Sequence, residues 1–405
     1  MAAAPTLTVY GATWCPDCRR AKQFLTDQRV PYVWIDLEAH PEAVAEVERR
    51  NDGKRIIPTI VFDDDTHLAE PSNDELADKL GLSREAADHV YDTVIVGGGP
   101  TGLTTAIYLA REKVSTLVIE RSALGGQAGV TERLDNYPGF PDGIAGAELA
   151  SRIAEQARRY GVELLEAVSV ESLGRDDDLI EITLSTGRHV HARSLVLATG
   201  STYRRTGAEG EADLIGAGVH FCATCDGPFY DGAEHVVVIG GGNSALEESL
   251  FLTQFAQRVT IIQVSPELSA SRLLQDRVRG HSAITVRTSS QVTEFHADET
   301  GHLAAVSVSG PEGTERLECA GAFVFVGLEP NTTLVRDLLE TDERGFIVTR
   351  DGQATSLAGV FAAGDVRSGS TKQMASAVGE GAAVALQIRR YLDTLEMSKG
   401  ASETR

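Results

Sequence analysis

Four of the five cysteines in this chain stand as two Cys-x-x-Cys pairs, Cys15/Cys18 and Cys222/Cys225. That spacing sets two thiols within one helical turn, where they can form and break a disulfide. The first pair lies in Trp14-Cys15-Pro16-Asp17-Cys18 and the second in Cys222-Ala223-Thr224-Cys225-Asp226. Asp226 brings a carboxyl beside two thiols and can move their proton; it can also cap a helix. The pairs are about 200 residues apart in unlike settings, with no His at ligand spacing, so metal is not expected. Cys319 is alone in the apolar run Cys319-Ala320-Gly321-Ala322-Phe323-Val324 and is expected to be a small buried residue. His189 and His191 alternate on a probable strand and are expected at the surface.

The elements that must hold these residues are legible as periodic segments. Leu7–Tyr10 reads as a strand and Arg19–Asp27 as a helix, with the first pair at the turn between them. Cys15 then sits at a helix N-terminus, where free N–H groups and the helix dipole favour thiolate. Pro16 suits the first helical position. Tyr32–Asp36 and Ile56–Phe62 read as further strands, and Pro41–Arg50 and Pro71–Leu80 as helices. Pro58, at the entrance of the third strand, is expected to be cis and to face the cysteines. Residues 83–90 form a polar linker, which spans at most about 28 Å and makes a loose, close tether.

Two glycine fingerprints follow. Val94-Ile95-Val96 leads into Gly97-Gly98-Gly99-Pro100-Thr101-Gly102, and a helix runs on through Leu109. The glycines allow a tight turn against a pyrophosphate, and the helix N-terminus supplies donors. Glu120 ends the next strand 23 residues after Gly97, where a ribose-binding acid belongs. The pattern recurs at Gly240-Gly241-Gly242-Asn243-Ser244, with Gln263 at the end of the following strand. Two dinucleotide folds suggest one bound flavin dinucleotide and one exchanging nicotinamide; the fingerprints alone do not say which fold holds which.

The chain is 405 residues long, enough for two or three domains. Its net charge of −22 argues against nucleic acid or an anionic membrane as partner. The start lacks a signal-peptide pattern, no run of about 18 apolar residues occurs, and the cysteine usage suits a reducing cytoplasm.

Residues 6–82 resemble a glutaredoxin, and more narrowly a mycoredoxin. The Trp14-Cys15-Pro16-Asp17-Cys18 motif, Ile57-Pro58-Thr59 and the segment from Leu68 to Leu76 carry the likeness. The resemblance implies Cys15 as nucleophile and Cys18 as resolving thiol. Asp17 replaces the usual aromatic residue; an acid there opposes thiolate formation. Residues 91–395 resemble low-molecular-weight thioredoxin reductases, through Gly125-Gly126-Gln127, Asn136-Tyr137-Pro138-Gly139, Ala198-Thr199-Gly200, Cys222–Gly227 and Gly359–Asp365.

That resemblance implies an α/β architecture: an N-terminal thioredoxin fold followed by two Rossmann-like dinucleotide-binding domains, the second inserted into the first. The expected units are 1–82 (glutaredoxin-like), 83–90 (linker), 91–206 and 327–395 (FAD-binding), 207–326 (NAD(P)H-binding, with the second Cys pair) and 396–405 (disordered tail). FAD falls to Gly97, Gly99, Pro100, Thr101, Gly102, Glu120, Gly126, Gln127, Asn136, Thr199, Gly200, Gly364, Asp365, Lys372, Gln373 and Met374. The nicotinamide falls to Gly240, Gly242, Asn243, Ser244 and Gln263. Cys225 is implied as the flavin-facing thiolate, Cys222 as the attacking thiol and Asp226 as acid–base residue. Hinges for domain rotation are expected near Ser201–Gly207 and Val326–Glu329, and a homodimer is implied.

NADPH needs a cation near the end of the second strand of its fold. Thioredoxin reductases usually supply a His-Arg-Arg-x-x-x-Arg pattern, but Gln263–Ser269 holds no cation and one acid; Arg272 comes next. Pro266-Glu267-Leu268, Lys372-Gln373 and Gly379-Glu380-Gly381 are closer to the flavoprotein subunit of alkyl hydroperoxide reductase, an NADH-using family. NADH is therefore favoured over NADPH. The expected function is an NAD(P)H- and FAD-dependent disulfide reductase. Electrons would pass from Cys222/Cys225 to Cys15/Cys18 and on to a small-molecule or protein disulfide, or a peroxiredoxin. The alternative is a flavin-dependent dithiol oxidase that uses oxygen.

Overall fold

The computed structural model describes residues 7–403 except 132, 135 and 177, with the backbone alone described at 130, 225 and 398–403. The front of the chain forms a four-stranded sheet in the order Tyr32–Asp36, Leu7–Gly11, Thr59–Val61, His67–Ala69. The first two strands are parallel and the other pairings antiparallel. Alternate residues of the Leu7 strand face inward: Leu7 and Val9 meet Phe24 and Leu25 of the helix Pro16–Asp27, and Leu76 of the helix Asn73–Lys79. Ser72 starts that last helix with a capping box, its hydroxyl accepting from the Glu75 N–H.

The Ile57–Pro58 bond is cis, as expected. The third strand, Thr59–Val61, is shorter than its apolar run predicts, because Pro58 has no N–H to pair. A short strand, His67–Ala69, pairs with it in antiparallel register. The first helix starts at Pro16 rather than Arg19, since a proline needs no partner for its missing donor.

The middle of the chain builds a sheet in the order Glu163–Glu166, Thr116–Glu120, Val90–Val96, His189–Leu197, Leu179–Leu184, Val170–Asp176. Val360–Ala362, from 240 residues beyond Glu120, adds in parallel to His189–Leu197. A second parallel sheet lies between these contributions: Val219–His220, Gly321–Val324, His235–Ile239, Arg258–Ile262, Ile284–Arg287. Two antiparallel strands, Ser201–Tyr203 and Leu328–Pro330, join the chain's exit from the first sheet to its return. The expected hinge segments run through this ribbon.

The helix Met374–Glu403 packs against Pro100–Arg111 and continues into the stretch expected as a tail. His189 is exposed as expected and His191 half-buried, on a strand interior to the sheet, and they lie beside Glu181 and Asp176. Cys319 is buried, as its apolar setting predicts.

The linker is less loose than its composition predicts. Glu163 accepts from the Ala87 N–H, Tyr91 from the Asp88 N–H, and Ser83 O from the Glu166 N–H at 2.8 Å. These bonds dock the front domain on the middle one. The Ala123 N–H also donates to Asp27 O at 3.1 Å, at the far end of the Cys15 helix. Among the described residues no helix is long and apolar enough to cross a membrane.

Candidate active site

Cys15 caps the N-terminus of the helix Pro16–Asp27, its Sγ accepting from the Cys18 N–H at 3.1 Å. A sulfur so placed gains from the helix dipole and from a fixed donor. Cys18 is fully buried, and burial first, then the hydrogen bond with Cys15, pushes its thiol up to about 12. Both are free thiols here. Gly11 leaves the room: a Cβ there would lie 2.6 Å from Cys18 Sγ and 2.7 Å from the Trp34 ring. Asp17 is paired with Arg20 at 3.2 Å, which offsets the acid expected to oppose a thiolate. Trp14 is 59% exposed beside Cys15 and is tethered to Glu38 through its indole N–H, so an aromatic face stands ready for an incoming disulfide.

A second centre is a single cavity lined by Gly97, Gly99, Pro100, Thr101, Glu120, Gly126 and Gln127, and also by Thr199, Gly200, Cys222, Asp226, Asp365, Lys372, Gln373 and Met374. The chain is shaped around an extended ligand. Gly97 has φ +112°, and a Cβ there would lie 2.3 Å from Ala198 O. Gly102 and Gly364 do not line the cavity but let its walls close. A Cβ on Gly102 would be 1.9 Å from Gly97 O, and one on Gly364 2.4 Å from Thr101 Oγ1. Glu120 is buried at the end of its strand and accepts from the Gly98 N–H and from Ser122. Of the carboxylate's roughly four lone pairs, one then remains for a ribose hydroxyl.

Glu380 fixes the opposite wall: it accepts from the Gly364 N–H at 2.7 Å and bidentately from Arg367 at 2.6 and 2.7 Å. Burial pushes the Asp365 carboxyl up, against the pull of Lys372. Lys372 in turn donates to Asp365 O and lies over the Phe346 ring. This donor set and glycine cradle fit a flavin dinucleotide: a helix N-terminus for the pyrophosphate, a buried acid for the ribose and a polar turn farther along.

Cys222 is disulfide-bonded and receives Gln373 Nε2 at 3.9 Å; the side chain of Cys225 lies outside the described residues. Asn136 does not line the cavity but reaches it through Gln373 Oε1 at 3.2 Å. Asp226 is 3.5 Å from His220 Nδ1, and His220 Nε2 meets the Tyr230 hydroxyl at 2.6 Å. Sequence reasoning missed His220 and Tyr230: neither carries a motif, and only the fold brings His220 to Asp226 and Tyr230 to His220. It also missed Tyr203, whose buried hydroxyl is pushed up to about 12 by burial and then by Asp365 and Asp226.

Gly240, Gly242, Asn243, Ser244 and Gln263 gather on the other Rossmann-like fold, away from this cavity. Gly240 has φ +133° against Phe325 O. Gln263 lies over Gly241, and Asn243 accepts from the Ser271 N–H. Arg287, whose carbonyl accepts from the Gln263 N–H, spends its own charge on Glu315. Among the described residues no group of three His, Cys, Asp or Glu is placed to hold a metal ion.

Comparison with known proteins finds two families along the chain. Residues 91–381 match the pyridine nucleotide-disulphide oxidoreductase model and residues 7–67 the glutaredoxin model. The thioredoxin reductase of Bacillus subtilis is 36% identical over 313 residues, covering 76% of this chain and 97% of its own. The bifunctional thioredoxin reductase/thioredoxin of Mycobacterium leprae is 38% identical, over 80% of this chain and 70% of its own. Among solved structures, the thioredoxin reductase of Streptococcus pyogenes aligns with a TM-score of 0.72 at 36% identity, over 76% of this chain and all of its own.

The chain therefore belongs to the pyridine nucleotide-disulphide oxidoreductases. Within them it is a thioredoxin-reductase-like disulfide oxidoreductase carrying an N-terminal glutaredoxin domain, and that membership implies FAD and an NADPH-type nicotinamide cofactor.

Proposed function

We propose that this chain is a self-contained disulfide reductase in which the second cysteine pair reduces the first. Bound FAD supplies the two-electron link between a nicotinamide and a disulfide. The rest is done by the chain's own sulfurs. Once Cys222 and Cys225 are thiols, the Cys222 thiolate attacks a Cys15–Cys18 disulfide. A Cys222–Cys15 mixed disulfide forms as the Cys18 thiolate leaves, and Cys225 then attacks the Cys222 sulfur and releases Cys15 as a thiol. Two electrons and two protons have then moved, leaving a Cys222–Cys225 disulfide and two thiols at the front. Asp226, held against His220, takes and returns the proton. Typical glutaredoxin potentials lie roughly 40–70 mV above thioredoxin's, so the transfer runs downhill by about 2–3 kcal/mol.

The observation that carries this reading is one chain holding two unlike dithiol settings: Cys15 capping a helix over a buried Cys18, and Cys222 beside a dinucleotide cavity. The final acceptor is a small-molecule or protein disulfide, a mycothiol disulfide or a peroxiredoxin among them. The working state is a cytoplasmic homodimer. Cys15→Ser should abolish turnover of that acceptor while the nicotinamide still bleaches the flavin absorbance in stopped flow. Loss of the bleach as well would refute the relay.

NADH is the proposed donor, because Gln263–Ser269 offers no cation and Arg287 is paired with Glu315. A higher kcat/KM for NADPH than for NADH would overturn that preference.

A further inference from the structure

The docking of the front domain places one of its residues in the other domain's cavity. Arg29 follows the Cys15 helix and has φ +53°, which turns it toward the middle domain. Its guanidinium donates to Leu124 O at 2.8 Å and to Gly126 O. Gly126 packs on Gly99, at the N-terminus of the helix Pro100–Arg111. Arg29 thereby lines the cavity together with Gly99, Thr101 and Glu120. The opposing chain makes space for it: a Cβ on Gly129 would lie 1.9 Å from the guanidinium. Two of a guanidinium's five N–H groups go to the carbonyls, which hold its plane fixed, and the others remain for a ligand. Burial pulls this group's pKa down while Glu120 pulls it up, as for a cation withdrawn from water beside a carboxylate.

We propose that Arg29 is a cofactor-binding residue: the glutaredoxin domain lends its guanidinium to the diphosphate of the dinucleotide held on the neighbouring domain. A fixed planar cation beside a helix N-terminus is the donor set for a diphosphate. In a chain of net charge −22 it also supplies local positive charge where a dianion must bind. Cofactor binding and domain docking are then coupled, each favouring the other by the same factor. The inference rests on the reading that the first dinucleotide fold takes FAD.

The test uses full-length apoprotein titrated with FAD, followed by flavin fluorescence at low and high salt. Arg29→Met should raise the Kd by roughly 10- to 100-fold, the range expected for losing a charge-assisted hydrogen bond. It should also flatten the dependence on salt. Arg29→Lys keeps the charge without the fork and should fall between the two, which guards against a folding defect in the first variant. As a second readout, FAD should slow trypsin cleavage at Arg84 of the linker in the wild type and not in Arg29→Met. Equal Kd and equal salt dependence in wild type and Arg29→Met would overturn the proposal. A wild-type protein that takes up no FAD would instead overturn the reading beneath it.

Discussion

The two thiols of the front pair should differ in reactivity by more than an order of magnitude, and the structure sets the size. Cys18 is pushed up to about 12 from an ordinary value of 9.0, chiefly by burial. At pH 8 its thiolate fraction is then about a thousandfold below that of a thiol at the ordinary value. A more basic thiolate is also a better nucleophile. A Brønsted coefficient of about 0.4–0.5 over three units returns a factor of roughly 16–32. The net expectation is attack about 30- to 60-fold slower than by an ordinary thiol, before any steric screening. The assay is exchange with an aromatic disulfide on reduced Cys15→Ser protein, with peptide mapping to isolate the Cys18 signal. The Cys18 rate should climb about tenfold per pH unit between 8 and 11. In Cys18→Ser protein, Cys15 should react readily. A Cys18 that reacts at the rate of a free thiol at pH 8 would refute burial as the cause, and with it the assignment of Cys15 as attacking sulfur.

Two further outcomes follow from groups away from the sulfur pairs. Cys319 is pushed up to about 12 by burial, so as pH rises past 9 the unfolded chain gives up this proton while the folded chain keeps it. Its share of stability is intact below pH 9 and falls by about 1.4 kcal/mol at pH 10; the stability gap between wild type and Cys319→Ala, measured by urea unfolding at pH 8 and 10, should narrow by that amount. Glu380→Ala strips the partner from half-buried Arg367 and the acceptor from the Gly364 N–H, and should cost about 3–5 kcal/mol in urea unfolding, with Glu380→Gln intermediate. An unchanged Glu380→Ala midpoint would mean that the turn bearing Asp365 stands without its clamp.

The local elements were written in the sequence because their signals are short-range. The Cys-x-x-Cys pairs mark helix starts, Pro58 marks a strand entrance, and the glycine turns at Gly97 and Gly240 precede helices; a Cβ at either would strike the backbone just past a neighbouring strand, at Ala198 O or Phe325 O. Even the acid at Glu120 could be counted out from Gly97.

What the sequence alone did not determine was everything set by contacts between distant segments. His220 and Tyr230 carry no motif; His220 meets Asp226, and Tyr230 meets His220, only because a short strand and a one-turn helix bring them together beside Phe323. The linker's composition read as a loose tether, but Glu163 and Tyr91 satisfy its backbone donors and so fix where the front domain sits. Arg29 is the clearest case. By sequence it is a helix-end arginine like any other; its place beside Gly99 and Glu120 exists only once two separately folded units are docked. Periodicity specifies which face of an element is buried. It does not carry which surface of one domain will cover another, because that depends on the summed shape and charge of residues nearly a hundred positions apart.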